Sequence, residues 1–472
     1  MIAGRMTLVS VGIALLATAC ISRDISATDL RATGEILHDI PISADIDILF
    51  MIDNSPSTAD KQAVFAANFP RFIQALDGFP GGRPNVHIGV VSSTMKIPMT
   101  TLEGGLAGAC TSTPNDDGRL HNQPTVTGCR PPTDRYIVDV AKSDGTRTQN
   151  YPGGSGNLAS TFSCIAQIGS DGCAFEHQLG AIKAALDGSR PENAGFIRPG
   201  AYLAVIILTD EDDCTARDPS IFNLPIADVG PIDFRCQPFY AYTCDQPISS
   251  TRAGTYTNCK VRTDSYLEDP LDIAQFLTTL KGDPGLVVVG LVDGPAMTTI
   301  STGALTKPFT QSLALLPSCE INDDAEIGRP GIRLARFLSG FAGHGLSRSV
   351  CTSDYTQALG DFGDLLFNAV SPCLGGNLDP TDIDPATPGI QLDCAIADVQ
   401  DTGSGTAAEQ VVPRCPMADA QTPTAGGPRP CWWTRSNPTT CATSSGLELH
   451  VERTQAPPAN THVSARCVTT EI

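Results

Sequence analysis

The stretch IDILFMIDNSPS, residues 46–57, joins a mainly apolar run directly to an acid and two serines. The run 46–52 is typical of a strand in a sheet that is buried on both faces. Asp53, Ser55 and Ser57 then cluster where this strand ends. Such residues can serve a turn or cap a helix, and their oxygen atoms are also ligands for a hard metal ion.

Apolar strands and helical patterns alternate along most of the chain. Further strands are predicted at 86–92, in AYLAVIILTDEDD (201–213) and at 286–294, and a short segment is expected near SRSVC (347–351). Helices are predicted from Phe65 to Gly78, kinked or divided by Pro70, and at 174–186, 270–281, 332–342 and 354–370. This alternation favours a mainly parallel sheet with helices on both faces. We therefore predict a doubly wound α/β domain over residues 45–373, with a loop insertion at about 95–160.

Two acids follow predicted strands at the positions where such sheets bind ligands. Ligands of doubly wound sheets lie outside the carboxyl ends of the strands, near the point where the strand order reverses. Asp53 follows the first strand, and Asp210 opens the acidic run 210–213 after a later strand. The rest of that acidic run is predicted to form a solvated rim, with a second cation as the alternative.

The sequences DNSPS (53–57) and IILTD (206–210) together resemble the metal-ion-dependent adhesion site of the von Willebrand factor type A (VWA) domain. That family places Asp-x-Ser-x-Ser after its first strand and a second acid after a later hydrophobic strand. The resemblance extends over about residues 45–370, in the same order of elements. It implies a divalent cation, Mg²⁺ or else Ca²⁺ or Mn²⁺, with a carboxylate of a bound partner in its open coordination position. The implied metal ligands are Asp53, Ser55, Ser57 and Asp210.

One element of the family pattern is missing. The family takes a further ligand from a threonine in a later loop, whereas the corresponding loop here, GSDGCAFEHQL (169–179), has Cys173 at about that position. A disulfide-bonded cysteine is no ligand for a hard cation. The opposing hypothesis is a degenerate site whose acid and serines act only in the turn and helix cap. The alternatives for the missing ligand, among which spacing does not choose, are Ser170, Asp171 and Glu176.

The N-terminal segment indicates where the chain works. Residues 1–19 contain Arg5, an apolar run and small residues before Cys20, which is typical of a secretory signal peptide. LLATAC (15–20) resembles a bacterial lipobox, which implies lipidation of Cys20, and plain cleavage of a soluble protein is the alternative. Residues 20–44 are polar and irregular, as in a tether. By analogy with Gram-negative lipoproteins, we expect an outer membrane lipoprotein that is periplasmic or exposed at the surface.

The cysteines fit an oxidising compartment. Of 17 cysteines, 16 remain for disulfides once Cys20 is set aside. Short separations favour Cys110 with Cys129 and Cys164 with Cys173.

The C-terminal segment differs in amino-acid composition from the α/β domain. Residues 374–393 are rich in Pro, Asp and Gly and are predicted to be a linker. Residues 394–472 contain five cysteines, which predicts a small disulfide-rich β module with Cys373 paired into it. Its strands LELHVER (447–453) and THVSARCV (461–468) are expected to be antiparallel neighbours.

Charge and motifs exclude several function classes. The net charge is −20, with 31 basic against 51 acidic side chains, which opposes binding to nucleic acid and leaves a lipid anchor as the route to a membrane. The chain contains neither a Gly-x-Ser-x-Gly elbow nor a P-loop, so we do not expect an enzyme. The predicted function is adhesion-type binding of a protein or surface ligand. The alternative is a structural envelope scaffold with a degenerate metal site.

Overall fold

The structure is a computed structural model that places most of the chain. Residues 1–35, which include the predicted signal peptide and Cys20, lie outside the described part, as does Cys110. The described residues are 36–40, 45–79, 82–97, 113, 115–142, 145–153, 157–173, 175–198, 200–225, 235–282, 284–306, 311–321, 326–341, 343–370, 373–374, 377–401, 407–438, 441, 445–454 and 461–469.

A mixed α/β unit contains a mainly parallel seven-stranded sheet. Its strands are β1 (Asp45–Ile52), β2 (Asn85–Ser92), β3 (Ile137–Ala141), β4 (Arg147–Gln149), β5 (Tyr202–Leu208), β6 (Val287–Asp293) and β7 (Gly345–Ser349). Their order is β7-β6-β5-β1-β2-β3-β4, with parallel pairing from β7 to β2 and antiparallel pairing of β3 and β4. The long apolar strands predicted from the sequence are therefore confirmed.

Helices cover both faces of this sheet. They are α1 (Ala59–Asn68), α2 (Pro70–Asp77), α3 (Leu158–Ala166), α4 (Gln178–Leu186), α5 (Pro270–Lys281), α6 (Ile332–Leu338) and α7 (Thr356–Val370). One core joins alternate side chains of β1 to α1, α2, α3 and α7, and the other joins the opposite side chains of β1 to α4, α5 and α6. Pro70 divides the first helix as predicted, because a proline fits the first turn of a new helix better than a helix interior.

Short helical turns and small sheets occupy the loops. The turns are Pro191–Asn193, Pro219–Asn223, Arg235–Tyr240 and Pro284–Leu286. The small sheets pair Tyr242–Thr243 with Lys260–Val261, Cys319–Ile321 with Glu326–Gly328, and Ile300–Leu305 with both Gln311–Leu315 and Gly254–Tyr256. Among the described residues, the helices are too short or too polar to cross a lipid bilayer.

Several sequence predictions in the α/β unit are corrected. The segment 95–160 is not only a loop, because it contains β3 and β4, whose few residues carry too little periodicity to be recognised. Helix α4 begins at Gln178 instead of 174, and α6 ends at Leu338 instead of 342.

The predicted disulfide pairing is also wrong. Cys129 pairs with Cys164, with their Cα atoms 5.5 Å apart, and not with Cys110. Cys173 is disulfide-bonded as well, and therefore not to Cys164. Separation along the chain misled the prediction because the fold, and not the loop length, brings Cys129 and α3 together. Other pairs are Cys214–Cys236, Cys244–Cys259 and Cys319–Cys351.

The C-terminal residues form β-rich structure with disulfides. Cys373 pairs with Cys441, as expected, and the other pairs there are Cys394–Cys467 and Cys415–Cys431. The strands are Cys394–Asp401, Ala407–Val412, Met417–Asp419, Thr422–Pro423, Cys431–Ser436, Leu447–Glu452 and Thr461–Cys467.

The strand neighbours in this region differ from the prediction. Leu447–Glu452 pairs with Cys431–Ser436, whereas Thr461–Cys467 lies between Cys394–Asp401 and Ile36–Ile40. Residues 36–40, assigned from sequence to an irregular tether, thus form a strand at one edge of a four-stranded sheet. The pairing of distant segments depends on tertiary packing, which local alternation does not encode.

Phe50 contacts four aromatic rings in the core that β1 forms with α1, α2, α3 and α7. It is fully buried, and its ring centroid lies within 5.9 Å of four other rings, those of Phe65, Phe69, Phe72 and Phe162. We expect Phe50→Ala to lower the free energy of unfolding by about 3–5 kcal/mol, because it leaves a cavity among these rings. Urea denaturation followed by circular dichroism measures this loss. The control is Val411→Ala, at a side chain that is 58% exposed, and equal losses in both variants would contradict the prediction.

Candidate metal centre

Asp53 and Asp210 follow two adjacent parallel strands. β1 and β5 pair in register up to Ile52 and Leu208, and the Asp53 N–H extends this pairing by donating to the Leu208 carbonyl at 2.9 Å. The chain runs from β1 to β2 on one side and later returns to β5 on the other side. The strand order therefore reverses at this point, which is where open α/β sheets bind ligands.

The residues after β1 form a tightly held loop. One carboxylate oxygen of Asp53 accepts the Ser55 N–H at 2.8 Å, and the Thr58 hydroxyl donates to the carbonyls of Asp53 and Ser55 at 2.9 Å each. Helix α1 follows, and its N-cap residue Thr58 makes no side-chain cap bond. The local hydrogen bonds thus fit a turn, but the two serine hydroxyls do not cap the helix.

The serine hydroxyls point instead towards the second strand end. Ser57 Oγ donates to Asp210 Oδ1 at 3.1 Å, and the Oγ atoms of Ser55 and Ser57 are 3.2 Å apart. Ser55 is buried and Ser57 is partly exposed. The structure therefore brings together the four residues that the sequence predicted as metal ligands.

A third acid completes what we call the carboxylate cluster: Asp53, Glu176 and Asp210. Carboxylate oxygens of these three residues lie within 4.8 Å of one another, and each residue is at most 2% exposed. Glu176 comes from the loop before α4, not from the helix itself, whereas the alternative ligand Asp171 is exposed. The carboxylate cluster could hold a metal ion, and its carboxylate and hydroxyl oxygens are the donor set that hard cations take.

Burial makes the charges of this cluster costly. It raises the pKa of the Glu176 carboxyl well above its ordinary value, and the negative charges of Asp53, Glu211 and Asp210 raise it further. Burial also raises the pKa of Asp210, although the Lys61 ammonium opposes this shift. Since several buried carboxylates cannot all be charged without compensation, the cluster requires a proton or a cation.

Two residues that the sequence analysis missed hold Asp53 in place. Thr209 Oγ1 donates to Asp53 Oδ2 at 2.8 Å, and Ser93 Oγ donates to Asp53 Oδ1 at 3.0 Å. Gln178 Nε2 then donates to both Thr209 Oγ1 and Glu176 Oε2 at 3.0 Å. The available signal was that Ser93 and Thr209 follow apolar strands, at the same edge of the sheet as Asp53.

Cys173 is not part of the carboxylate cluster. It is buried, and its N–H donates to Thr94 Oγ1 at 2.9 Å. The neighbouring Gly172 donates its N–H to the Asn54 carbonyl at 2.7 Å, and a Cβ at Gly172 would lie 2.4 Å from Asn54 Oδ1. The loop that contains Glu176 therefore packs directly on the loop that contains Asp53, and glycine permits this close approach.

The acids that follow Asp210 do not form the predicted solvated rim. Asp212 and Asp213 are fully buried. Asp212 accepts hydrogen bonds from the Tyr242 hydroxyl and the Arg333 N–H, both at 2.7 Å, and Asp213 pairs with the Arg333 guanidinium at 2.8 Å. Only Glu211 in this run is partly exposed, and its Oε1 atom lies 3.2 Å from Arg329 Nε. Asp212 and Asp213 therefore serve the structure, because both anchor Arg333 at the start of α6.

Comparisons with known proteins do not identify a family for this chain. No protein-family model and no curated protein matches it. Similar solved structures are the pilus adhesin SpaC from Lactobacillus rhamnosus GG in an open conformation, the human COPII-coat protein Sec24c, and the pilus adhesin RrgA from Streptococcus pneumoniae. Each is 10% identical, with TM-scores of 0.30, 0.31 and 0.23 over 91%, 91% and 93% of this chain. The match covers 39%, 44% and 58% of the lengths of those three chains, in the same order. Similarity at these TM-scores defines no family.

Asp293, at the end of β6, provides a test of buried charge outside the carboxylate cluster. It is 3% exposed and accepts the Ser347 hydroxyl at 2.7 Å. Burial raises its pKa to about 7, although the Ser347 hydrogen bond opposes the shift.

The folded state holds the Asp293 proton more tightly than the unfolded state does. The stabilisation from this residue is therefore fully present below about pH 4. It is lost as the pH rises from about 4 to 7. We expect Asp293→Asn to remove this loss, so that the variant gains on the order of a few kcal/mol relative to the parent across that range. Urea unfolding between pH 4 and 8 in chelator measures the difference. Asp264→Asn, at an exposed position, is the control, and parallel pH profiles for parent and Asp293→Asn would refute the prediction.

Proposed function

We propose that this chain is a cell-envelope binding protein of the VWA-like, adhesion type, which engages a protein or surface ligand through a divalent cation. The observation that carries the proposal is the carboxylate cluster, with the Ser55 and Ser57 hydroxyls beside it, where the strand order of the sheet reverses. Asp53, Ser55, Ser57, Asp210 and Glu176 would hold the cation, with Mg²⁺ first and Ca²⁺ or Mn²⁺ as alternatives. Such a cation supplies an electrophilic coordination position that accepts a carboxylate of the partner.

The chain's own residues explain how such a site would be kept ready. Thr209 and Ser93 donate hydrogen bonds to opposite oxygens of Asp53, so its carboxylate is oriented from two strand ends. Gln178 holds Glu176 next to Thr209. Ser57, which is partly exposed, lies where a partner can approach. The arrangement suits reversible binding, and we propose no catalytic role for these acids.

The location belongs to the same proposal. The signal-like residues 1–19 and the lipobox-like stretch before Cys20 support an outer membrane lipoprotein of a Gram-negative envelope. The many disulfides support an oxidising compartment. The alternative function is a structural envelope scaffold in which the carboxylate cluster binds no cation, and that protein would bind its partners equally well in chelator.

Titration calorimetry of the full chain, stripped of metal by chelator, tests the proposal. We expect Mg²⁺, Ca²⁺ or Mn²⁺ to bind at one saturable site in the parent. Asp53→Ala should abolish this binding because it removes a ligand carboxylate. Asp171→Ala, which changes an exposed acid in the same loop as Glu176, should bind as the parent does.

Circular dichroism establishes that each variant is folded. If the folded parent binds none of the three cations, the scaffold alternative replaces this proposal. The same conclusion follows if Asp53→Ala binds as tightly as the parent.

A further inference from the structure

Lys61 is a buried cation in contact with the proposed metal site. It lies in the first turn of α1 and is 5% exposed. Its Nζ atom is 3.3 Å from Asp210 Oδ2 and donates a hydrogen bond to the Ser57 carbonyl at 3.0 Å. A lysine is rarely buried to this degree unless its charge is paired. Here its partner is one of the three acids of the carboxylate cluster.

The position of Lys61 creates a conflict with a divalent cation. The ammonium neutralises part of the charge that would attract the cation, and it contacts an oxygen of a proposed ligand. Two cations so close to one carboxylate repel each other strongly, because the buried surroundings screen charge poorly. The Asp210 carboxylate therefore cannot serve both at full strength.

The structure also offers the lysine a second partner. Asp60 Oδ1 lies 3.7 Å from Lys61 Nζ, and the Asp60 side chain is 46% exposed. The long, flexible stem of lysine allows the ammonium to turn towards solvent without unfolding of the helix. Asp60 is thus a carboxylate at the surface that can accept the ammonium when it leaves Asp210.

We propose that Lys61 is a built-in counter-ion that competes with the divalent cation for Asp210. In the metal-free protein, the Lys61 ammonium stabilises the carboxylate cluster, and on cation binding it moves away from Asp210 towards Asp60 and solvent. This inference rests on the proposed cation site. The competition makes the affinity for the cation weaker than the oxygen ligands alone would produce. The fraction of sites occupied by the cation therefore responds to the cation concentration outside the cell membrane.

Lys61→Gln tests the competition, because glutamine removes the charge but keeps an N–H donor. We expect the variant to bind Mg²⁺ and Mn²⁺ at least tenfold more tightly than the parent in titration calorimetry of the full chain. In chelator, its melting temperature should fall below that of the parent, since Asp210 loses its counter-ion, and Mg²⁺ should restore it. Lys142→Gln, which removes the same charge from an exposed turn, should change neither quantity.

The outcomes separate this inference from the proposed function. Equal or weaker cation binding by Lys61→Gln, with a parent that binds, overturns the competition and leaves the cation site intact. If Lys61→Gln binds a cation while the parent does not, the competition is supported, but the proposed function of the parent is refuted. If neither binds and both are folded, the cation site itself is refuted, and the competition is refuted with it.

A second measurement on the parent protein needs no substitution. Acetic anhydride labels exposed lysines, and mass spectrometry locates the label. We expect Lys61 to be protected in chelator and labelled several-fold more in saturating Mg²⁺, while the exposed Lys142 reacts equally in both. Unchanged labelling of Lys61 in a protein that binds Mg²⁺ would overturn the proposed movement.

Discussion

The arrangement of this α/β unit depends on the two parallel pairings of β1. The strand bonds to β2 on one edge and to β5 on the other, and from Ile46 to Ile52 all of its residues are buried. Both faces of the strand need apolar neighbours, which α1, α2, α3 and α7 provide on one side and α4, α5 and α6 on the other. The polar side chain within 46–52, Asp47, is paired with Arg198, and beyond Ile52 the chain leaves the sheet. Asp53 stands at that point.

Burial of the carboxylate cluster costs free energy. The hydroxyl and amide donors around these three acids, and the Lys61 ammonium beside Asp210, reduce that cost. Natural sequences keep such local conflicts mainly at functional sites. The contrast is Asp212 and Asp213, which are equally buried but satisfied by Arg333 and backbone N–H groups, and which serve the structure.

The sequence predicted the elements with strong local signals. Long apolar strands and the division at Pro70 were recognised because their patterns lie within a few neighbouring residues. The short strands β3 and β4 were missed, and so was the strand at 36–40, whose partner Thr461–Cys467 lies at the other end of the chain. The same limit applied to the pairing of Cys129 with Cys164, which separation along the chain did not predict.

For the site, the sequence by itself determined that Asp53, Ser55, Ser57 and Asp210 follow strands whose carboxyl ends can meet at one edge of a sheet. It could not decide which residue of the loop 169–179 joins them. Only the tertiary structure brought Glu176 into the carboxylate cluster, left Asp171 exposed and seated Lys61 against Asp210. The physical reason is distance along the chain. Thr209 and Asp53, for example, are 156 residues apart, and only the packing of the separate loops fixes which side chains face one another.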